Sequence, residues 1–282
     1  MWKDLIFLVV CSRAAGLVID SIPRSMQLRR CAAPACSVAV FGASGGTGGE
    51  AAFQALGRGE SVVAFVRDPA KLLVPVGSGG PSAGQPLTNE KLSVVQGDVT
   101  KRADVAKVFA TGDVTGVVVA LGGKTSDVGK TMLQDGTANI IAEMKASGVK
   151  RISVVTTVGA GDSMDEAPWA MKLLFATVMS SIIADKNKQE ELFLSGPGAE
   201  LEYCVVRPGG LKDDQPNGIV NVDKGEAGAI ARGDVAAFCL DAVLEPDFKY
   251  LRQTPSICSD KGSGFDSVLA DKTKSRMAVP KK

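Results

Sequence analysis

Three glycines at a regular spacing follow the first strongly apolar run of the chain. Gly42, Gly45 and Gly48 form a Gly-x-x-Gly-x-x-Gly pattern between the apolar residues 38–41 and the apolar-periodic residues 50–56. A buried strand, a tight turn and a helix N-terminus would present backbone N–H groups to a pyrophosphate, and the helix dipole would favour its negative charge. The pattern and its context therefore predict a dinucleotide-binding loop, with an ordinary glycine-rich β–α turn as the alternative.

The end of the second apolar run indicates which dinucleotide this loop would bind. The run Ser61–Val66 leads into Arg67, 19 residues after Gly48. An NAD site usually carries Asp or Glu near this point for the ribose 2′-hydroxyl, whereas an NADP site tends to place Arg near the 2′-phosphate. The planar guanidinium group makes two charge-assisted bonds to phosphate oxygens. NADP(H) is therefore the predicted cofactor, although Asp68 follows at once and a solvated loop arginine is the alternative.

The elements that must position these residues alternate between strands and helices. Such alternation predicts βαβ units with right-handed crossovers and a sheet that is covered on both faces. The predicted fold is α/β, a doubly wound and mostly parallel sheet of the Rossmann-like type in a single domain. After the first strand and helix, the predicted strands are Ser61–Val66, Leu92–Gln96 and residues 116–121, 151–157 and 201–206, and the predicted helices are residues 103–110, Met132–Ser147 and residues 170–194, with a break allowed in the last.

Ligands of such sheets bind beyond the carboxyl ends of the strands. Four short segments fall at those ends, and we expect them to line one crevice. They are residues 97–98, 121–122, 156–157 and 207–210.

Composition excludes several classes of function. The 282 residues include no His, which disfavours Ser-His-Asp triads and imidazole-ligated metals, and we predict no metal site. Six cysteines form no Cys-x-x-Cys pair, and the formal net charge of +1 gives no indication of a nucleic-acid-binding surface. Hydride transfer tolerates the lack of His, because the cofactor carries the reactive atom. The expected partner is a small aromatic acceptor, with no nucleic acid and no membrane span; the oligomeric state stays open.

The two ends of the chain differ from the rest. Residues 1–36 carry five basic and two acidic residues with a short apolar stretch at 5–10, which predicts a targeting presequence for a plastid or a mitochondrion. A disordered extension of a cytoplasmic protein is the alternative. Residues 37–271 are the predicted NAD(P)-binding domain, with a Gly/Pro/Ser-rich surface loop at 74–90, and residues 272–282 are a predicted flexible basic tail.

Several motifs together resemble one known family. The chain is similar, over about residues 37–244, to the atypical short-chain dehydrogenase/reductases with an NAD(P)H-binding domain. Within them it looks most like the flavin reductase/biliverdin-IXβ reductase branch and its plant and algal relatives. The motifs that carry the resemblance are residues 42–48, 66–68, 97–99, 136–141, 147–151, 206–211 and 234–236.

The resemblance implies a role for each matching position. Thr157 would lie beside the nicotinamide, where relatives carry Ser, and Pro208 and Gly209 would close the crevice near it. Asp98 and Val99 would flank the adenine. The pyrophosphate would be held by Gly42, Ala43, Ser44, Gly45, Gly46, Thr47 and Gly48, the 2′-phosphate by Arg67, and the ribose by Ala120, Leu121 and Gly122.

Each of these positions also has an ordinary interpretation. Asp98 could cap a helix that starts near Lys101, since Asp is a common N-cap residue. Thr157 could be a strand-end residue, and Gly209-Gly210 a turn. Their shared location at strand ends favours the binding roles.

The chain departs from the Tyr-x-x-x-Lys pattern of the better-known dehydrogenases. Lys186 is the matching lysine, but Ile182 stands four residues before it and cannot transfer a proton. Alcohol dehydrogenation by that route is therefore disfavoured. Lys186 could bind ribose hydroxyls, or it could be a solvated helix charge.

Two hypotheses about function remain. The first is an NADPH-dependent reductase that delivers hydride to a conjugated planar acceptor of the flavin, quinone or tetrapyrrole type, with Thr157 and Lys186 as the candidate catalytic residues. The second is a non-catalytic NADP(H)-binding sensor or organellar assembly factor. Oxidation of bound NADPH on addition of flavin or quinone distinguishes the two.

Overall fold

The computed structural model describes residues 37–110, 113–122, 130–177, 179–218, 220–222 and 227–259. The predicted presequence at 1–36 and the predicted tail at 272–282 lie outside these residues, as does the end of the predicted domain at 260–271. The two domain boundaries therefore remain predictions.

A largely parallel sheet forms the centre of the described chain. Eight strands pair in the order β3-β2-β1-β4-β5-β6-β10-β8, and only the β10–β8 pair among them is antiparallel. Strands β7 and β9 pair in a small separate ladder. The strands are β1 Ser37–Phe41, β2 Ser61–Val66, β3 Leu92–Gln96, β4 Val114–Val119, β5 Arg151–Val155, β6 Glu202–Pro208, β7 Gly210–Lys212, β8 Asn221–Val222, β9 Ala229–Ala231 and β10 Ser256–Cys258.

Helices cover both faces of this sheet, so that most central strands are apolar on both sides. Helices α1 and α6 pack with one set of strand side chains, including Val38 and Val40, and α2, α3 and α5 pack with the other, including Ala39 and Phe41. The predicted doubly wound α/β fold is confirmed. The helices are α1 Gly46–Gly57, α2 Arg102–Phe109, α3 Met132–Ser147, α4 Trp169–Ala176, α5 Ser180–Leu194 and α6 Arg232–Leu244.

Three predicted strand ends at the carboxyl edge were wrong, and among them β6 runs to Pro208, two residues past its predicted end. Helix α1 starts at Gly46, ahead of the apolar-periodic residues 50–56; glycine has low helix propensity, but its lack of a side chain lets the first turn pack tightly here. Strand β4 ends at Val119 and β5 at Val155, two residues before their predicted ends. The apolar run continues past β4 because the Ala120 N–H still donates to the Phe41 carbonyl oxygen, at 2.9 Å, and Ala120 and Leu121 line a cavity at the strand end.

The segment at 74–90 is irregular, as predicted, but it is not only a surface loop. Leu73 and Pro86 form an isolated antiparallel bridge, and Val74 and Leu87 are buried in the core cluster around α1. Strands β7 to β10 were not predicted, because three of them have three residues and β8 has two.

Candidate functional site

The carboxyl ends of β1, β2, β3 and β4 surround a cavity of about 420 Å³. Nine of the fifteen predicted cofactor-binding residues line it: Gly42, Ser44, Gly45, Arg67, Asp98, Val99, Ala120, Leu121 and Gly122. Five further lining residues were missed by the sequence analysis: Phe65, Val66, Lys71, Thr100 and Met132.

The glycine-rich loop connects β1 to α1 at one wall of this cavity. Gly42 has φ +84° and a side chain there would approach the Ala120 carbonyl oxygen to 2.5 Å, so that this position requires glycine. A Cβ atom on Gly48 would collide with the Gly42 carbonyl oxygen. The absence of both side chains lets the first turn of α1 lie directly against the strand end.

The start of α1 has the properties of an anion site. Its N-cap residue, Gly45, offers no side-chain oxygen, and the first turn contains no acidic residue. The first N–H groups of a helix have no partner within the helix, and the dipole adds partial positive charge. Thr47 is buried within this turn and Ala43 is buried just before it. Four predicted pyrophosphate-binding residues do not line the cavity itself: Ala43, Gly46, Thr47 and Gly48.

Two basic side chains, Arg67 and Lys71, contribute to the cavity at the end of β2. Arg67 is exposed to solvent. Asp68 does not line the cavity; its carboxylate accepts a hydrogen bond of 3.1 Å from the Ala70 N–H and caps the 3₁₀ turn Pro69–Lys71. The carboxylate that follows Arg67 is thus engaged in local turn structure.

Asp98 and Val99 lie at the end of β3. The Asp98 carboxylate accepts hydrogen bonds from the amide and hydroxyl groups of Thr100, at 3.0 and 2.8 Å, and these bonds lower the pKa of Asp98 below its ordinary value. The alternative role of Asp98 as the cap of α2 was wrong: the N-cap residue is Lys101, which makes no side-chain cap. Asp98 closes a turn before the helix instead.

The two predicted catalytic residues lie beyond the end of β5, outside the residues that line the cavity. Thr157 is half-buried, and the Lys186 ammonium group, on α5, donates a hydrogen bond of 3.1 Å to the carbonyl oxygen of the preceding Thr156. Burial lowers the pKa of Lys186 to about 8, against the opposing influence of the Glu190 and Asp185 carboxylates. Lys186 therefore contacts Thr156, the chain neighbour of Thr157, and the two predicted catalytic residues lie in the same region of the structure.

A buried charge network that the sequence analysis missed lies beneath these residues. The Arg207 guanidinium group on β6 donates to both Glu190 carboxylate oxygens, at 3.1 and 2.6 Å, and to Asp162 at 2.6 Å. The Thr156 hydroxyl donates to Glu190 at 2.7 Å. The side chains of Arg207 and Glu190 are 4% and 1% exposed. Burial alone would lower the pKa of Arg207, but the bonds and charge of Glu190 and Asp162 raise it.

This network also fixes the loop that follows β5. Gly161 lies so close to Arg207 and Glu190 that a Cβ atom would collide with both, and its N–H donates to the Asn187 side chain at 2.9 Å. The Gly159 N–H donates to the Ser163 hydroxyl at 3.0 Å. The loop after Thr157 is therefore held by β6 and α5 together.

Pro208 and Gly209 are buried at the end of β6, and neither lines the cavity. The Pro208 carbonyl oxygen accepts a bond of 3.0 Å from the Val158 N–H, and the Gly209 N–H donates 3.0 Å to Ile257. Pro208 is thus hydrogen-bonded to the loop after β5, and Gly209 is hydrogen-bonded to β10. Their predicted proximity to a nicotinamide remains a prediction.

Ile182, at the position of the usual tyrosine, is half-buried on α5. Within the described ranges, no three His, Cys, Asp or Glu side chains cluster in a way that could hold a metal ion. Of the helices described, none combines the length and the apolar character required to cross a bilayer.

The fold is shared with solved structures. ChuY from Escherichia coli O157:H7, named an anaerobillin reductase, superposes with a TM-score of 0.63 at 23% identity, over 80% of this chain and 98% of that chain. A short-chain dehydrogenase/reductase from Veillonella parvula DSM 2008 in complex with NADP gives a TM-score of 0.64 at 14% identity, over 82% of this chain and 97% of that chain.

Sequence comparisons agree with the fold. An uncharacterised chloroplastic protein of Arabidopsis thaliana is 29% identical over 224 residues, which are 76% of this chain and 74% of the relative. The NAD(P)H-binding family matches residues 42–246, from the first glycine of the loop to the end of α6 and just beyond. This chain therefore belongs to the NAD(P)H-binding family.

Proposed function

We propose that the protein is an NADPH-dependent reductase of a conjugated planar acceptor. The observation that carries this proposal is the cavity at the ends of β1 to β4, which has the glycine-rich loop up to Gly45, the N-cap residue of α1, at one wall and Arg67 and Lys71 at another. The wall at the start of α1 suits the negative charge of a diphosphate, and the wall with Arg67 and Lys71 suits that of an additional phosphate. The residues fit a phosphorylated dinucleotide.

The preference for NADPH over NADH rests on the end of β2. Arg67 and Lys71 line the cavity, whereas Asp68 does not line it; one Asp68 carboxylate oxygen caps a turn and the other lies 3.9 Å from the Lys71 ammonium group. Two cations at the cavity wall, of which Lys71 is only loosely paired with Asp68, favour the 2′-phosphate.

The type of acceptor follows from the residues beyond β5. When bound, NADPH supplies the hydride. Ile182 cannot supply a proton, so an acceptor that spreads the incoming negative charge over a conjugated ring system suits this site better than a simple ketone. With a pKa of about 8, Lys186 is mostly cationic at neutral pH and would stabilise that charge, while the Thr157 hydroxyl orients the reacting groups. ChuY, a reductase by name, has the same fold and lends support.

The proposed location is the plastid. The chloroplastic relative from Arabidopsis thaliana and the basic character of residues 1–36 support it.

The test is to add purified protein to NADPH and follow its absorbance at 340 nm with flavin, quinone or linear tetrapyrrole acceptors. We expect acceptor-dependent oxidation, faster with NADPH than with NADH. A protein that binds neither dinucleotide in a fluorescence titration would overturn the proposal.

A second candidate is a non-catalytic NADP(H) sensor or assembly factor, which Ile182 favours because the usual proton donor is missing there. NADPH that binds tightly but is not oxidised with any of the three acceptor classes would support this candidate over the reductase.

A further inference from the structure

Arg232, the first residue of α6, lies directly against the start of α1. A Cβ atom added to Gly46 would come within 2.6 Å of Arg232 Cδ and 2.7 Å of its Nε. Gly46 is the first helical residue of α1, so the missing side chain at Gly46 leaves the space that the arginine side chain fills. This contact, and not only the approach of a ligand, accounts for glycine at this position.

The backbone at Arg232 is held in place relative to α1. The Gln54 side chain on α1 donates a hydrogen bond of 2.8 Å to the carbonyl oxygen of Gly233. The Asp234 carboxylate accepts bonds from the N–H groups of Asn217 and Gly218, at 3.0 and 2.9 Å. The start of α6, and with it the backbone from which the Arg232 side chain extends, is therefore fixed beside α1.

The electrostatic environment of Arg232 is unusual for an arginine. Its guanidinium group lies at the positive end of the α1 dipole, where a cation is disfavoured and an anion is favoured. Its ion-pair partner is Asp213, whose side chain is 68% exposed. Asp213 borders the same surface depression as Ser44, Gly45 and Gly46, so the carboxylate that pairs with Arg232 lies on the glycine-rich loop's side of the molecule.

From this geometry we infer that Arg232 is a second phosphate-binding side chain, which contacts the diphosphate common to NADPH and NADH. In the free protein Asp213 holds the guanidinium group beside the loop, and on binding the diphosphate replaces the carboxylate. The inference rests on the proposed function. It differs from the role of Arg67, because a diphosphate contact strengthens both dinucleotides whereas a 2′-phosphate contact strengthens only one.

The test compares dissociation constants for NADPH and NADH in fluorescence titrations of the full chain. Arg232→Ala is expected to weaken both by about 10- to 100-fold, with their ratio unchanged, and to reduce the dependence of binding on salt. Arg232→Lys retains the charge and is expected to recover part of the loss. Asp213→Asn removes the competing carboxylate and is expected to tighten both by up to about fivefold.

Arg58→Ala is the matched control. Arg58 pairs with Asp241 at 2.6 Å and joins the same two helices, but at the opposite end of α1. It is expected to leave both dissociation constants within about twofold, since exposed pairs contribute little. Melting temperatures of all variants show whether each is folded, and Arg232→Lys carries the test if Arg232→Ala is not.

Two results would overturn the inference. Arg232 variants that bind both dinucleotides as the Arg58→Ala protein does would show that the arginine only packs against Gly46. A loss confined to NADPH would assign Arg232 to the 2′-phosphate instead. Failure of the unmodified protein to bind either dinucleotide is a different outcome, since it refutes the proposed function itself.

Discussion

At the ends of β1 to β4 the cleft is open and its arginine reaches solvent, whereas at the ends of β5 and β6 the charged side chains are buried and paired. Arg67 is exposed at the first region, while Arg207 and Glu190 are 4% and 1% exposed at the second. An exposed cation keeps its hydration and is available to a ligand, whereas a buried ion pair must be satisfied by the protein itself. The first region is therefore suited to select a ligand, and the second to maintain a geometry.

Glu190→Ala is the strongest test of this difference. The substitution leaves the buried Arg207 without its main partner, so we expect a loss of about 3–5 kcal/mol in the free energy of unfolding, measured in urea. Glu191→Ala is the control, because it removes an exposed pair with Lys188 from the same helix and is expected to change stability by less than about 0.5 kcal/mol. Similar small losses in both variants would contradict the idea that the second region is held by its buried charges.

Arg67→Ala tests the first region. We expect NADPH binding to weaken by about 1.5–3 kcal/mol, with NADH and the free energy of unfolding nearly unchanged, because the side chain is exposed. Arg102→Ala removes another exposed arginine, paired with Glu143 and outside the cavity, and is expected to have no effect on binding. Equal losses for both dinucleotides would refute the assignment of Arg67 to the 2′-phosphate.

The pH dependence of turnover separates a working lysine from a structural one. Burial lowers the pKa of Lys186 to about 8, so its cation is lost as the pH rises through that value. If the cation assists the reaction, turnover falls about tenfold between pH 7 and pH 9, and Lys186→Met abolishes that fall. A fall that persists in Lys186→Met would assign the titration to another group.

The lowered pKa of Lys186 also predicts how stability depends on pH: turnover falls as the pH rises, whereas the contribution of Lys186 to stability increases. An unfolded lysine keeps its proton to about pH 10.5, so the unfolded state binds more protons between pH 8 and pH 10.5. The contribution of Lys186 to the free energy of unfolding therefore rises with pH across this window.

Thr157→Ala has the smallest expected effect. Loss of one hydroxyl hydrogen bond beside the reacting groups should lower turnover about 2- to 10-fold without changing the dissociation constant of NADPH. Thr157→Ser retains the hydroxyl and should restore most of the rate. An unchanged rate in Thr157→Ala would leave Thr157 as a strand-end residue.

Local sequence patterns predicted much of the fold. Strand β2, strand β3 and helix α3 have the predicted bounds, because each is an unbroken apolar or periodic run in the sequence and ends where that run ends. The predicted 170–194 helix is indeed broken, between Ala176 and Ser180. The start of α1 at Gly46 could not be read from the sequence, because Gly46 and Gly48 have low helix propensity and their positions depend on contacts with distant residues.

The candidate site was predicted less completely than the fold, again because some of its residues are defined by contacts between distant parts of the chain. Residues that follow a strand, such as Arg67 and Asp98, could be found because parallel strands end at one edge. Glu190 and Arg232 belong to helices, and their partners are Arg207 and Gly46 on other elements. The sequence does show Arg207 near the end of an apolar strand and Arg232 at the start of an apolar helix. Neither pattern indicates which residue the arginine contacts.

The central place of β1 in the sheet has a consequence for synthesis of the chain. Because β1 lies between β2 and β4, the glycine loop gains its opposite wall, at Ala120, only after a further 70 or so residues have been made. A nascent chain that ends before β4 would carry the loop without the facing backbone, and the dinucleotide could not yet act as a scaffold for folding. The crevice proposed for the dinucleotide is therefore complete only after both of its walls have left the ribosome.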